Sequence, residues 1–376
     1  KTTSESQGLK NVKFYSINSW LRPYTGGRRL KQVLNQAQTG KQAAKDFIEA
    51  LEGTGSDDYS RDMYNEVHRY AALATELAAS EQFDIIHAHD WMTYPAGMAV
   101  AAMSGRPLVV HIHSTEFDRS GEHVNQMIYD IERMGMHAAD KVIAVSYFTR
   151  NIVINRYGVP AEKVEVVHNG VERNGNNGEW PLSKTGITKG EKIVLFLGRI
   201  TMQKGPEYFL QAAKKVLEVM DNVKFVMAGS GDLMRKSVEM AAGLGIGHKV
   251  LFTGFLRGDD VKKIYKMADL FVMPSVSEPF GIVPLEALEN DVPVIISKQS
   301  GVSEVLVHAL KVDFWDVNEI ANKIVAVLKY PPLEVTLRNY GNFEIRRLRW
   351  KDSAEKCMRV YAETLAAASR KTTCPV

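Results

Sequence analysis

The sequence predicts an α/β protein with two parallel-sheet domains facing a cleft. Short apolar, β-rich runs alternate with helical patterns along the chain, as they do in βαβ units. The strand-like runs are almost continuously apolar, which suits parallel sheets that are covered on both faces. The chain has 376 residues, more than one ordinary hydrophobic core organises, so two domains are expected.

The first domain is predicted to span residues 1–170. Its longest helix covers about 57–80, where apolar residues recur at helical spacing. Its predicted strands are 12–17, 83–87, 107–113, 141–145 and 164–167. Residues 171–190 are polar and rich in Gly and Asn, so we interpret them as a linker.

The second domain is predicted to span residues 191–349. The alternation of strands and helices restarts there, with predicted strands at 192–197, 224–228, 249–253, 270–273 and 293–296. Residues 350–376 begin with an amphipathic helical pattern that runs to about 368.

The composition excludes several classes of protein. It is 45% hydrophobic and 24% charged with a net charge of +3, which argues against a general nucleic-acid binder but permits a local phosphate site. No apolar run reaches the roughly 18 residues of a membrane span, and no signal peptide is recognised. Cys357 and Cys374 have neither metal-ligand nor disulfide spacing, so a reducing cytoplasm is expected. Because the chain begins at Lys1, we expect that it lacks a native N-terminal portion.

The most informative motif places Glu278 and Glu286 on either side of a Pro-Phe-Gly turn. A strand-like run leads into it and an apolar helical stretch leads out. Such a unit points the first N–H groups of the helix into a cleft, where an anion can bind. A lone glutamate usually faces water, so a solvated role stays open until other motifs are considered.

A basic motif, Gly198-Arg199 to Lys204-Gly205, follows the first strand of the second domain. Arg199 can hold two phosphate oxygens, and Lys204 adds a point charge. The helix that starts near Pro206 contributes its positive end. This pattern predicts a diphosphate site; the alternative is a pair of surface cations near a helix start.

Two glycine-containing strand ends carry weaker signals. Gly229-Ser-Gly231 is half of a dinucleotide-type fingerprint, for which a tight βα turn is the plainer explanation. Gly254 and Phe255 end the next strand, where Phe255 either flanks a nucleotide base or packs as an ordinary aromatic residue.

In the first domain, four histidines stand at two adjacent strand ends: His87, His89, His111 and His113. We do not expect a metal, because no HxxxH spacing or carboxylate partner accompanies them, and hydrogen bonding to a polar ligand suits them better. Asp90 is a candidate helix N-cap, and Asn169 a candidate turn former. No P-loop, nucleophile elbow, zinc-protease, kinase or convincing D-x-D motif is found.

Together these motifs resemble those of the family 4 retaining glycosyltransferases, which have the two-Rossmann-domain, doubly wound GT-B fold, and above all the bacterial glycogen and starch synthase-like branch. The resemblance covers about 12–365 and is carried by the E-x7-E and G-R-x4-K-G motifs. The stretch from His87 to Trp91 and the stretch from Ser300 to Glu304 agree with that branch.

The resemblance implies a nucleotide-sugar site in the second domain. Arg199 and Lys204 would hold the diphosphate, Glu278 would bind sugar hydroxyls near the anomeric carbon, and Glu286 would bind the ribose. The other donor-binding residues would be Gly198, Gly229, Gly254, Phe255, Phe280, Gly281 and Ile282.

The resemblance also implies acceptor-side residues and a reaction. His113 would face the donor sugar, with Asp90 on the acceptor side and Asn169 lower in the cleft. The catalytic set would be Glu278, His113, Asp90, Arg199 and Lys204. The expected activity is a retaining, metal-independent transfer of glucose from ADP- or UDP-glucose to an α-glucan, without a cofactor. Residues 350–376 would cross back to the first domain.

Two alternatives stay open. The same donor chemistry could serve a small-molecule, lipid or surface-polysaccharide acceptor, or the chain could bind a nucleotide-sugar without catalysis. The family's Gly-rich loop after the first strand is not found in this sequence, since Gly26-Gly27 stands in a different context. The oligomeric state is not predicted.

Overall fold

The computed structural model describes residues 12–17, 59–171 and 190–372. It contains a four-stranded and a six-stranded sheet, and every strand pairing in them is parallel. The predicted pair of parallel-sheet α/β domains is therefore confirmed. The glycine pair Gly26-Gly27, Cys374 and most of the predicted linker lie outside the described residues.

The first sheet has the strand order β1-β2-β3-β4. Its strands are β1 (Ile86–His89), β2 (Leu108–Ile112), β3 (Lys141–Ala144) and β4 (Val164–Val166). The helices are α1 (Tyr59–Ala78), α2 (Tyr94–Ser104), α3 (Glu116–Ser120), α4 (Gln126–Ala138) and α5 (Tyr147–Tyr157). The strand predicted at 12–17 is wrong, because that segment has only a bridge residue, Tyr15.

The second sheet has the strand order β10-β9-β8-β5-β6-β7. Its strands are β5 (Lys192–Leu197), β6 (Val223–Ala228), β7 (Val250–Gly254), β8 (Leu270–Met273), β9 (Val294–Ser297) and β10 (Leu310–Val312). The helices are α6 (Pro206–Leu217), α7 (Met234–Gly243), α8 (Asp259–Met267), α9 (Ile282–Glu289), α10 (Val317–Lys329), α11 (Pro331–Ile345) and α12 (Trp350–Thr372).

The order of the second sheet creates a topological switch point between β5 and β8. From β5 the chain moves outward to β6 and β7, then returns to the other side of β5 as β8, where Val194 pairs with Leu270. The loops that leave the two strands must therefore diverge, and a crevice opens at their carboxyl ends. Ligands of open α/β sheets bind in this crevice.

Alternating side chains build a core on both faces of the second sheet. In β5, Ile193 and Leu195 belong to one buried cluster, while Val194 and Phe196 belong to another. This period of two follows from strand geometry. It explains why β5 is apolar at successive positions rather than alternately polar.

Helix α12 covers one face of the first sheet. Its Val360 is buried against Val109 and Ile143, and Tyr361 packs beside them. The Ser353 hydroxyl, one turn from the start of the helix, donates to the His168 carbonyl at 2.6 Å. The last helix therefore ties the end of the chain to the first domain. No described helix is both long and apolar enough to cross a lipid bilayer.

Candidate functional site

Three glycine turns at the carboxyl edge of the second sheet pack directly against one another. Gly229 has φ +145°, and a Cβ there would lie 1.8 Å from the Gly198 carbonyl oxygen. A Cβ on Gly231 would lie 2.2 Å from the Ile200 carbonyl oxygen. The Gly229 N–H donates to the Gly254 carbonyl at 2.8 Å, so the turns after β5, β6 and β7 form one layer. The glycines of this fingerprint thus have a packing role that any side chain would prevent.

The turn after β5 delivers Lys204 to the loop after β8. Lys204 ends a short 3₁₀ turn, and Gly205 follows it with φ +64°. A Cβ on Gly205 would lie 2.2 Å from the Pro274 carbonyl oxygen, so the two loops are in close contact. Arg199 is exposed on the same turn, five residues before Lys204.

Lys204 and Glu278 meet at the switch point. The Lys204 ammonium lies 2.5 Å from Oε2 of Glu278, and the Ser275 hydroxyl donates to the same oxygen at 3.2 Å. Glu278 is 7% exposed, and its backbone is fixed on both sides, since its N–H donates to Gln299 and its carbonyl accepts from Gly301. The structure therefore brings together two residues that stand far apart in the sequence. A buried carboxylate of this kind requires a paired cation, which Lys204 supplies.

The first turn of α9 presents backbone donors beside Glu278. Gly281 precedes the helix with φ +103°, and a Cβ there would come within 3.2 Å of the Glu278 Cγ. In the part of the chain that the structure describes, the N–H groups of Phe280, Gly281 and Ile282 donate to no backbone or side-chain acceptor. Free donors at the positive end of a helix favour an anion.

Glu286 lies inside α9 in a different environment. Tyr265 of α8 donates its hydroxyl to Oε2 of Glu286 at 3.0 Å. Burial raises the pKa of Glu286, and the hydrogen bond from Tyr265 opposes that rise. The tyrosine fixes the direction of the carboxylate and leaves its other oxygen for a further donor.

Phe255 projects from the end of β7 instead of packing into the core. Its side chain is 63% exposed, and the Arg257 guanidinium lies 5.2 Å from the ring centroid. Gly254 before it has φ +72°, a conformation that favours glycine. The exposed ring and its cation flank the glycine layer at the edge of the sheet.

Asp90 has a role that differs from the predicted N-cap. Helix α2 is capped by Thr93, which makes no side-chain cap bond. Asp90 instead adopts φ +59°, rare for a residue other than glycine, and its Oδ1 accepts from the His113 N–H at 2.8 Å. The carboxylate reaches from the end of β1 to the end of β2, and α2 begins only at Tyr94, four residues after Asp90. The N-cap interpretation of Asp90 was wrong.

The four histidines form a stack at the carboxyl ends of β1 and β2. His111 and His113 have ring centroids 4.3 Å apart, and Nδ1 of His89 lies 2.9 Å from Nε2 of His113. Burial lowers the pKa of His111 to about 2 and that of His87 to about 4, so both rings are neutral near pH 7. Asn169 lies half-buried in the segment after β4, on the other side of the sheet order from β1.

The residues immediately before and after Glu278 in the sequence contact the first domain. The Ser277 hydroxyl donates to Oδ1 of Asp118 at 2.6 Å, and the Ser146 hydroxyl donates to the Pro279 carbonyl at 2.5 Å. Asp118 stands five residues after His113, and Ser277 directly precedes Glu278, so this contact joins the segment after β2 to the loop after β8. The residues on either side of Glu278 are therefore held by the first domain.

The residues that make these cross-domain contacts were not predicted from the sequence. Asp118 forms a capping box with Thr115 at the start of α3, and the T-x-x-D spacing could have indicated that local structure. Nothing local indicates that the other oxygen of Asp118 meets Ser277, which is 159 positions away. Arg119 braces the same loop by donating to the Ser114 carbonyl at 3.1 Å and to Glu132 at 2.5 Å.

Comparisons with known proteins agree with this architecture. Residues 182–342 match the family model of glycosyl transferases group 1, and residues 49–174 match that of glycosyltransferase family 4. An uncharacterized glycosyltransferase of Methanocaldococcus jannaschii is 38% identical over 242 residues, which are 61% of this chain and 61% of that protein. Two glycosyltransferase family models thus match consecutive parts of this chain, and its two parallel-sheet domains have the fold of GT-B glycosyltransferases.

Other relatives of this chain carry different names. Alpha-monoglucosyldiacylglycerol synthase of Streptococcus pneumoniae is 32% identical over 61% of this chain and 55% of its own length. Glycogen synthase of Mycobacterium tuberculosis is 25% identical over 60% of this chain and 54% of its own length. The chain thus spans between 54% and 61% of the length of these three relatives. These relatives do not distinguish the glycogen and starch synthase-like branch from other glycosyltransferases.

Solved structures share the fold. Sucrose-phosphate synthase from Thermosynechococcus elongatus superimposes with a TM-score of 0.71 at 21% identity, covering 82% of this chain and 80% of that chain. Anabaena HepE in complex with UDP-glucose superimposes with a TM-score of 0.66 at 22% identity, covering 79% of this chain and 82% of that chain. At this identity the likeness concerns the fold alone.

Proposed function

We propose that this GT-B glycosyltransferase moves a glucosyl unit from ADP- or UDP-glucose to an α-glucan, with retention at the anomeric carbon and without a metal or cofactor. The Lys204–Glu278 pair carries the proposal. It stands at the switch point between β5 and β8, between a cationic turn and the donor-rich start of α9. A cation, a buried acid and free N–H groups in one crevice suit a sugar joined to a diphosphate.

In this proposal the diphosphate lies between Arg199, Lys204 and the first turn of α9. These groups stabilise the negative charge that develops on the leaving phosphate, which is usually the largest contribution to such catalysis. Glu278 uses Oε2 for Lys204 and Ser275, and its Oε1 makes no hydrogen bond within the described residues. That oxygen is available for a sugar hydroxyl, and Glu286 with Tyr265 is available for the ribose.

The proposed transfer takes place on one face of the sugar. The glycosidic C–O bond breaks, the acceptor hydroxyl attacks from the side of the departing phosphate, and a phosphate oxygen takes the hydroxyl proton. His113 and Asp90 would line the opposite wall, with Asn169 lower in the cleft. The cross-domain bonds from Ser277 and Ser146 favour a closed arrangement that excludes water from the reacting carbon.

Two observations bear on which nucleotide the donor carries. The exposed Phe255 ring offers a stacking surface for a base at the end of β7. A structural neighbour, Anabaena HepE, is seen with UDP-glucose, which makes that donor the first to assay. The cytoplasmic location and the lack of a nucleic-acid partner remain predictions.

A lipid hydroxyl is the second candidate acceptor. It is favoured by the relative named alpha-monoglucosyldiacylglycerol synthase, whose 32% identity exceeds the 25% of the glycogen synthase. The donor chemistry is unchanged in this alternative. Only the wall of the cleft formed by the first domain would differ in what it binds.

Transfer assays with the full-length protein test the proposal. Labelled ADP-glucose and UDP-glucose would each be incubated with glycogen or with diacylglycerol vesicles, with and without EDTA. We expect label in glycogen, an α-linkage by NMR, and transfer that persists in EDTA. If label appeared in the lipid alone, the acceptor would be a lipid and not a glucan. If the protein bound the donor but neither transferred nor hydrolysed it, the protein would be a nucleotide-sugar-binding module.

A matched pair of variants links the assay to the site. Glu278→Gln should lower turnover at least 100-fold because it removes the charge beside the reacting sugar, within the range of single electrostatic contributions. Glu239→Gln, an exposed acid on α7, should leave turnover unchanged. Equal turnover of the two variants would contradict the proposed site.

A further inference from the structure

Three histidine rings converge where β1 and β2 end. His87 and His89 are two residues apart on β1, so their side chains leave the same face of the sheet. His111 on β2 is the direct register partner of His89. The ring centroids lie 4.2 Å apart for His87 and His89 and 5.2 Å apart for His89 and His111. One nitrogen of each ring lies within 4.8 Å of the other two.

Several of these nitrogens are buried without a partner. Within the described residues, both ring nitrogens of His111 and Nε2 of His87 are buried and make no hydrogen bond. His111 is 7% exposed. A neutral imidazole carries one donor and one acceptor, and a protein interior normally satisfies both. A core position with no polar requirement would be filled by an apolar residue, as Val109 fills the neighbouring one.

The other nitrogens of the cluster have contacts that orient the rings. Nδ1 of His87 lies 2.5 Å from the Tyr361 hydroxyl of α12, and Nδ1 of His89 lies 2.9 Å from Nε2 of His113. Both contacts leave Nε2 of the ring for another ligand. Metal-binding histidines are commonly oriented in this way by a partner on the second nitrogen.

We propose that His87, His89 and His111 bind one divalent transition-metal ion of the Zn²⁺ class. Three imidazoles without a carboxylate or thiolate suit zinc, copper, nickel or cobalt and do not suit magnesium or calcium. Three protein ligands also leave a fourth coordination position for water or a substrate oxygen. His89 is the exposed member and gives the ion a route from solvent.

Ion binding requires only the rings to move. Two ligand nitrogens on a tetrahedral zinc lie roughly 3.4 Å apart, as follows from Zn–N bonds of about 2.0–2.1 Å. The His87 and His111 planes are now within 5° of parallel, so their nitrogens must turn toward a common point. The terminal torsion of histidine is broad, and the register of β1 and β2 already places the backbones side by side.

The proposed ion would lie at the carboxyl ends of β1 and β2, outside the proposed donor site. It would join β1 and β2, and through Tyr361 it would act on α12, which covers this face of the first sheet. Through His89 it would also restrain His113, on the acceptor side of the proposed site. The ion would therefore stabilise the first domain without taking part in the departure of the diphosphate.

Metal binding to the full-length protein tests the site without an activity assay. The protein would be stripped with chelator and titrated with Zn²⁺ by calorimetry and with Co²⁺ by absorption spectroscopy. We expect one ion per chain, a visible d–d spectrum typical of nitrogen ligands in a four- or five-coordinate site, and a higher Tm with Zn²⁺. No saturable binding of either ion would overturn the proposal.

Variants separate this site from surface binding. His89→Gln and His111→Gln should each weaken Zn²⁺ binding at least tenfold and abolish the Co²⁺ spectrum, whereas His123→Gln, at an exposed position, should change neither. His89 is exposed, so its variant should fold even if that of the buried His111 does not. Retention of the spectrum in His89→Gln would overturn the assignment.

Discussion

Glu278 and Glu286 belong to one sequence motif but meet different partners. Glu278 is buried against Lys204 and Ser275 in the loop after β8, and Glu286 is half-buried beneath the Tyr265 hydroxyl. Their eight-residue spacing predicts that they reach different parts of a ligand. These neighbouring side chains of the same protein fix the orientation of each carboxylate.

Lys204 is expected to contribute to donor affinity more than other lysines of the second domain. Lys204→Met should weaken binding of a nucleoside diphosphate about tenfold or more, because it removes one charge-assisted contact worth about 1.5–3 kcal/mol. Calorimetry with UDP and ADP provides the measurement. Lys215→Met, at an exposed position on α6, is the control and should bind as the unmodified protein does. A Lys204→Met protein with undiminished affinity would remove Lys204 from the diphosphate site.

Gly205 is expected to be intolerant of any side chain. Gly205→Ala should lower the free energy of unfolding by about 1–3 kcal/mol, since it combines a left-handed backbone with a clash against the Pro274 carbonyl. Denaturant titration measures the change. Gly243→Ala is the matched control: its Cβ would meet nothing within 4 Å at the end of α7, so it should be neutral or stabilising.

Helix α5 shows how an element of one domain is completed by the other. Ser146 caps it by accepting from the Thr149 N–H, and Glu304 of the second domain accepts from the N–H groups of Tyr147 at 2.9 Å and Phe148 at 2.5 Å. His168 lies 3.2 Å from the same carboxylate. A carboxylate from the second domain thus occupies the positive end of a first-domain helix.

Glu304→Gln is expected to loosen this contact between the domains. The amide keeps the size of the side chain, but its NH₂ group faces a backbone donor that the carboxylate satisfied. We expect a loss of about 1 kcal/mol of stability and a larger radius of gyration by X-ray scattering. Glu355→Gln on α12 should change neither quantity, since that acid is largely exposed. An unchanged radius would show that Glu304 does not hold the domains together.

Helices and strands were predicted correctly where the element was long enough and its apolar pattern was clear. The strand at 270–273 and the start of the helix at 350 agree with the structure, because continuous apolar runs and helical periodicity are local signals. Strand β10 was missed because its short apolar run ends at Val312 before Asp313, whereas that of β4 continues to Val167. The segment 12–17 resembled a strand, yet it forms only a bridge, because pairing depends on a neighbour that local sequence does not reveal.

At the scale of the molecule, α12 joins the last residues of the described chain to the first sheet. Val360 fills a position between Val109 and Ile143, and Val171 donates its N–H to the Leu348 carbonyl just before the helix. The end of the first domain therefore meets the end of the second domain near Gly170, where a Cβ would lie 2.3 Å from the Trp350 backbone nitrogen.

Truncation of Val360 is expected to destabilise the first domain more than the second. Val360→Ala removes buried methyl groups and should cost about 1–3 kcal/mol. Hydrogen exchange of β2 and β3, compared with β5 and β6, would locate the loss. Met358→Ala, on the same helix but 63% exposed, should have little effect. An equal loss of protection in both sheets would contradict this local role of α12.

The strand-end motifs of the proposed donor site could be found in the sequence because each of them is local. The G-R-x4-K-G turn, the E-x7-E motif and the glycines at strand ends each follow a strand, and parallel strands bring their carboxyl ends to one edge. The fold class follows from the same alternation. By contrast, the capping role expected of Asp90 was wrong, because α2 begins after Thr93 and the Asp90 carboxylate accepts from a backbone group at the end of the neighbouring strand.

Local pattern could not identify the residues that act across long separations. Sequence spacing placed Arg199, Lys204 and Glu278 after strands and Glu286 in the helix that follows, and it predicted two α/β domains. Only the tertiary structure paired Lys204 with Glu278, joined Ser277 to Asp118, and left the His111 nitrogens buried without partners. The physical reason is that periodicity and turn chemistry act within a few residues, whereas pairing and burial depend on which strands and helices become neighbours in space.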